Sequence, residues 1–306
     1  MTAALRTAAS EVRFSGEPAV ELRNRQLRAR FVPGVGMTGV SLQLAGREYL
    51  ALPGGLAALR GGHTAGLPLL APWANRLGAN RYRVGNQTVD LAGLPLHRDA
   101  NGLPIHGLLV GRSGWRVERL DVVRGTPRVR ATFALDDPAF PFPHTIVVEA
   151  RAHEDRLVLD TTVVATGRRA VPVAFGWHPY LRLPGLPRRD WTLRLPGRVH
   201  LPLDGRGLPT GERVVARAEH GAISRRTFDD LYALTTRRSF ALESESAAVR
   251  VVTGDGYGYV QVWVPPARPF AALEPMVVAT DALRAGPVPL VEPGDSYRAR
   301  ATLVLQ

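Results

Sequence analysis

Alternation with a period of two most narrows what this chain can fold into. In RLVLDTTVVA (156–165), apolar and polar side chains take turns. The same rhythm runs through RVRATFAL (128–135), TIVVEARA (145–152), WTLRLP (191–196), AVRVVTG (248–254), YVQVWV (259–264) and YRARATLVLQ (297–306). Successive side chains on a strand point to opposite faces, so this pattern describes strands with one buried face. The chain carries 31 glycines and 25 prolines, many of them between these runs, which leaves little room for long helices. No repeat of solenoid length is present. The expectation is an all-β protein: one large antiparallel β-sandwich in a single domain over residues 1–306, with residues 1–25 loosely ordered. The Pro/Gly-rich stretches LRLPGLPRRD and LPLDGRGLPTGE read as long loops between sheets rather than domain joints.

Composition excludes several classes. The chain has 306 residues, 45% of them hydrophobic and 22% charged, enough apolar material for a large core. It has no cysteine, which rules out disulfides and thiolate metal sites, and no metal-ligand spacing stands out. The opening MTAALRTAASEVRFSG lacks a basic start followed by an apolar run, and no stretch approaches the roughly 18 apolar residues of a membrane span. A cytoplasmic protein that acts away from the membrane is expected. The net charge is +12, and all 39 basic residues are arginine. They lie singly or in pairs, without a dense run or interleaved aromatics, which argues against a nucleic-acid surface. GVGMTG (34–39) fits a dinucleotide-binding pattern, but a strand-like VSLQLAGREYL follows it where a helix is required. It reads as a turn between strands, and no cofactor follows from it.

Four stretches carry chemistry. LPLLAPWANRLGANRYRVG (67–85) ends an apolar run in Asn75 and Arg76. Together they offer a rigid fork of donors beside a donor–acceptor amide, suited to hydroxyl-rich or carboxylate ligands; bracing of a loop by Arg76 is the equal alternative. NGLPIHG (101–107) places His106 where an apolar stretch turns, and VAFGWHPY (173–180) puts His178 at the end of another. Pro179 favours an extended backbone at His178, and an imidazole there can move a proton near neutral pH. Either histidine alone also suits a structural role. PFAALEPMVVATDAL (269–283) ends its apolar run in Glu274. A carboxylate there is costly unless paired or used, and burial would raise its pKa towards that of a general base; an ion pair with an arginine is the rival reading.

In this order, PWANR, IHG, GWHPY, LPTGE, FDDLY and LEPM followed by TDAL resemble the aldose 1-epimerase (mutarotase) family from about residue 30 onwards. Pro-Trp ahead of Asn-Arg looks nearer the glucose-type, YihR-like branch than the classical galactose mutarotases. The resemblance implies a β-supersandwich that interconverts the anomers of a free aldohexose. It implies Glu274 as the base at the C1 hydroxyl and His178 as the acid at the ring oxygen. His106 would bind near the ring oxygen, Arg76 and Asn75 would bind hydroxyls, and Asp229 (or its neighbour Asp230) would bind substrate. The two catalytic groups can exchange roles only if their effective pKa values bracket the working pH. Tyr180 and Trp177 are candidate pocket walls, with core packing favoured for Trp177. Val277 and Val278 depart from the smaller or polar residues of relatives and are expected to alter that wall. The partner implied is a small aldose, bound by a monomer or homodimer without metal or other cofactor. A hexose-6-phosphate 1-epimerase and a non-catalytic carbohydrate-binding protein of the same fold are the alternatives.

Overall fold

The computed structural model describes residues 6–236 and 238–306. Nearly all regular structure is antiparallel strand, in sheets of nine, eight and five strands and two two-stranded ribbons. The nine-stranded sheet contains, as neighbours, Ser296–Leu305, Arg156–Ala165, Phe140–Ala152 and Thr126–Asp137. The eight-stranded sheet contains, as neighbours, Phe228–Ala233, Tyr259–Val264, Ala271–Met276, Gly176–Trp177 and Leu69–Leu70. The sandwich expected from the alternation is therefore present, and the runs at 156–165 and 259–264 coincide with strands end to end. Among the described residues, no helix is long and apolar enough to cross a membrane.

Residues 8–23 correct one expectation. The strands Ala8–Phe14 and Glu17–Arg23 form a hairpin that continues into a five-stranded sheet with Leu27–Val32 and Thr38–Leu44. Val20 and Leu22 join the main core, and Glu21 is ion-paired to Arg30 at 2.7 Å. Short, Glu/Arg-rich strands look loose when read singly; pairing at Ala8↔Arg23 through Phe14↔Glu17 holds them. Residues 1–5 lie outside the described residues. GVGMTG forms the turn between Leu27–Val32 and Thr38–Leu44.

Alternation on Tyr259–Val264 decides where the chemistry sits. Val260, Val262 and Val264 enter the main hydrophobic core, which leaves Gln261 and Trp263 on the opposite face. Register carries that face across the sheet: Gln261 pairs with Glu274 and Trp263 with Asp229. Trp177 points the other way, and its indole N–H donates to Thr161 Oγ1 at 3.0 Å, joining the two large sheets through their core. Each buried CH2 along this contact contributes about 0.8 kcal/mol. Val277 and Val278, expected to shape a pocket wall, instead join the core, because the chain turns inward after Met276 and Val277 N–H bonds Phe175 O at 3.0 Å.

Candidate active site

The Asn-Arg pair and His106 are assembled by two segments zipped together. Leu108 N–H bonds Ala71 O at 2.7 Å, His106 N–H bonds Asn75 O at 3.0 Å, and Leu77 N–H bonds Pro104 O at 2.9 Å. Asn75 and His106 both adopt left-handed backbone, at φ 54° and 66°, a conformation costly for residues with a side chain. Gly107 follows at φ 70°, and a Cβ there would lie 2.3 Å from Ala71 O. Only glycine lets this ladder close.

His178 leaves the sheet just after Gly176–Trp177, with its N–H bonded to Pro68 O at 3.1 Å. Its ring stacks on Tyr180 at 4.8 Å and meets His106 and Trp263 edge-on at 5.4 and 5.6 Å. Tyr180 is held in turn by a 2.7 Å hydrogen bond between its hydroxyl and that of Thr64. His178 Nε2 lies 3.5 Å from Glu274 Oε1, and the two side chains are 6% and 2% exposed. Among the described residues Glu274 has no arginine ion pair, and its Oε2 is buried without a hydrogen-bond partner.

Burial drives both groups of this pair towards their neutral forms. Glu274 is held well above the usual carboxylate range, first by desolvation and then by the Asp229 charge, while Arg76 pulls the other way. Desolvation pushes His178 down to about 3, and His106 is likewise lowered, by burial first and then by its neighbour His178. Burial thus favours the uncharged carboxyl on Glu274 and the uncharged imidazole on His178. A single transfer over 3.5 Å yields carboxylate and imidazolium without changing net charge.

Arg76 reaches the same face from the side. Its Nε donates to Asp99 Oδ2 at 2.8 Å and one Nη donates to Asn75 Oδ1 at 3.0 Å. Its other Nη lies 3.9 Å from Asp229 Oδ2. Arg76 therefore both braces a loop and faces the site. The two aspartates take different partners: Asp229 accepts from Gln261 Nε2 at 2.7 Å beside Glu274, whereas Asp230 lies near His200 and accepts from the Tyr232 hydroxyl. A cavity of about 370 Å³ opens over Arg76, Asp229 and Asp230, lined also by Asn101, His200, Leu203 and Arg206. That volume suits a small ligand. The turn at 203–209 forms one wall, and Gly207 (φ 74°) lies so close to Arg76 that a Cβ would sit 3.0 Å from its Cζ.

All six sequence-derived residues, Glu274, His178, His106, Arg76, Asn75 and Asp229, thus lie on connected segments around one site. Trp177 stays in the core and Tyr180 lines the site. Gln261, Trp263, Asp99 and Asp281 were missed. Gln261 and Trp263 had a signal, since a polar residue on the second buried face of YVQVWV is costly unless used. Asp281 holds the backbone around Arg76: its N–H bonds Arg76 O at 3.0 Å and its Oδ1 accepts from Gly78 N–H at 2.7 Å.

The profile of the aldose 1-epimerase family matches residues 18–303. No curated protein matches the chain. Among solved structures, a galactose mutarotase-like protein from Clostridium acetobutylicum superposes with a TM-score of 0.87 at 19% identity, covering 97% of this chain and 98% of its own. Galactose 1-epimerase from Lactobacillus acidophilus NCFM gives 0.80 at 15% identity, over 98% and 99%. A putative aldose 1-epimerase from Escherichia coli K12 gives 0.76 at 17%, over 94% and 98%. At these identities the structural likeness speaks to the fold.

Proposed function

The chain belongs to the aldose 1-epimerase family, and on that premise we propose that it interconverts the α and β anomers of a free aldohexose. Pro72-Trp73 ahead of Asn75-Arg76 is the basis for placing it nearer the glucose-type, YihR-like branch. One observation carries the reading: a buried carboxylate with no arginine partner among the described residues lies 3.5 Å from a buried imidazole, next to Arg76 and Asp229, which line a cavity.

A cyclic aldose is a hemiacetal, so its anomers exchange by opening the ring, rotating the aldehyde and closing again. Proton transfer from Glu274 to His178 first sets up the pair. Glu274 as carboxylate then takes the proton of the O1 hydroxyl while His178 as imidazolium gives one to the ring oxygen, and the C1–O5 bond breaks. Rotation about C1–C2 presents the other carbonyl face, and closure runs both transfers backwards. Each well-placed transfer is worth roughly 10²–10⁴-fold. Arg76, Asn75 and Asp229 bind hydroxyls, and His106 binds beside the ring oxygen. The positive charge of Arg76 favours carboxylate on Glu274 and so favours the reactive form of the pair.

The test follows the optical rotation of freshly dissolved α-D-glucose and α-D-galactose, with glucose 6-phosphate in parallel. The wild-type protein is expected to accelerate the approach to equilibrium, and Glu274→Gln to abolish the acceleration. A wild-type rate equal to the spontaneous one with both free sugars overturns the reading. Acceleration confined to the phosphate ester would redirect it to hexose 6-phosphates.

A further inference from the structure

Two side chains hold the Arg76 guanidinium, Asp99 through Nε and Asn75 through one Nη. Asp99 is itself fixed. Its side chain is 8% exposed and both oxygens are occupied. Oδ1 accepts the N–H groups of Asn101 and Leu103 at 2.9 and 3.0 Å, closing the turn in RDANGL. Oδ2 accepts Arg76 Nε at 2.8 Å. Asp99 N–H bonds Leu103 O at 2.9 Å and Gly102 N–H bonds Asp99 O at 3.0 Å, so the carboxylate is fixed by its own backbone. With Asn75 taking one Nη, the fork of Arg76 retains one direction, towards Asp229 at 3.9 Å, a gap too long for a direct hydrogen bond.

We propose that Asp99 is a positioning residue: it aims the Arg76 guanidinium at the sugar face before substrate arrives. The inference rests on the functional reading above, in which Arg76 binds hydroxyls. An unbraced arginine side chain would lose its rotamer freedom on each binding event. Braced by Asp99 and Asn75, with its backbone held by Asp281, it has lost that freedom already. A turn anchored on an aspartate within reach of Arg76 is thereby a binding device as well as a loop closure.

Asp99→Asn separates the two functions. Asparagine keeps Oδ1 as acceptor for Asn101 and Leu103, and it sets an amide NH2 against Arg76 Nε–H, so the turn persists while the brace is lost. The expected result is a KM for the aldose raised about tenfold, with kcat changed less than about threefold. The unfolding midpoint should stay within about 2 °C of wild type. Nitrogen-15 spectra supply a readout that does not depend on turnover. The Arg76 Nε–H signal, identified by its loss in Arg76→Lys, should exchange slowly in the wild type and join the freely exchanging arginines in Asp99→Asn. An unchanged signal with unchanged KM overturns the proposal; so does a loss of kcat in step with a fall in midpoint, which would mark Asp99 as structural only. If the wild type fails to accelerate anomerisation while the Arg76 signal still depends on Asp99, the functional reading fails and the brace stands.

Discussion

Glu274 and Asp160 are both mid-strand carboxylates, 2% and 3% exposed, and the fold treats them in opposite ways. Asp160 sits among Arg151, Arg298 and Arg300, the last two donating through Nε at 3.0 and 2.9 Å and the first through an Nη. Burial works against its charge, but Arg300, Arg151 and Arg298 together outweigh it and hold the carboxyl below the usual range. Glu274 has a glutamine across the strand, a histidine at 3.5 Å and an aspartate nearby, and burial raises it. Among the described residues no guanidinium lies within bonding distance of Glu274, which on the proposed mechanism leaves its proton free to move. A satisfied carboxylate ties three strands together; an unsatisfied one can act as a base.

The largest effect that could break this comparison is on rate. Glu274→Gln should lower the accelerated mutarotation by about 10²–10⁴-fold, whereas Asp160→Asn should leave it within about twofold, since Asp160 is no part of the proposed proton pathway. Polarimetry of both variants decides it, and a large rate loss in Asp160→Asn would dissolve the distinction.

Stability should move the opposite way. Asp160→Asn is expected to cost about 1–3 kcal/mol at neutral pH, discounted because Arg298 and Arg300 are half exposed. Its folded pKa is depressed, so the contribution is present above the unfolded value and is lost as pH falls through the folded one. Glu274 has a raised folded pKa, so its contribution is complete below the unfolded value and is lost as pH rises through the folded one. Glu274→Gln should therefore match or exceed wild-type stability, with a margin that widens as the pH rises. Denaturant melts of both variants at acid, neutral and alkaline pH should give two difference curves of opposite slope, and parallel curves would sink the assignment.

Asp229→Asn sharpens the same point at smaller scale. Removing its charge should let the Glu274 pKa fall, because Asp229 is the second cause of its rise. In the free protein the pair is active while it holds one proton, so kcat/KM declines as pH rises through the Glu274 value. That alkaline limb should move to lower pH in the variant, and KM should rise. A limb that stays put or moves up would mean that another group sets it.

Much of this was legible before any coordinates. Period-two alternation gave the strands because each buries one face, and 156–165 and 259–264 agree with the structure to the residue. The resemblance named Glu274, His178, His106, Arg76, Asn75 and Asp229, and the structure brings those six to one site. Whether Glu274 was ion-paired was not legible, because an arginine anywhere in the chain could have reached it. Which aspartate bonds Gln261 beside Glu274 needed the register with Tyr259–Val264, since a one-residue slip reverses every side chain, and both Asp229 and Asp230 border the cavity. The hairpin at residues 8–23 was misjudged because its stability comes from pairing between strands. Asp99 and Asp281 look like ordinary turn and cap residues locally; only the contact with Arg76, 23 residues away for Asp99, reveals more.

Trp263 should give the smallest effect, and it asks whether the face that holds Glu274 also selects the sugar. It lies one step along the strand from Gln261, across from Asp229, and edge-on to His178. It is part-exposed, whereas Trp73 and Trp177, at 1% exposure each, are core. An indole in that position offers an apolar face to the C–H side of a pyranose. Trp263→Leu should raise KM about three- to tenfold with kcat nearly unchanged, because stacking contributes equally to ground and transition states. The change should differ between glucose and galactose, whose axial or equatorial O4 alters the apolar patch presented to the ring. Equal KM shifts for both sugars would assign Trp263 to packing around His178, and a fall in kcat would place it in the alignment of the proton pair itself.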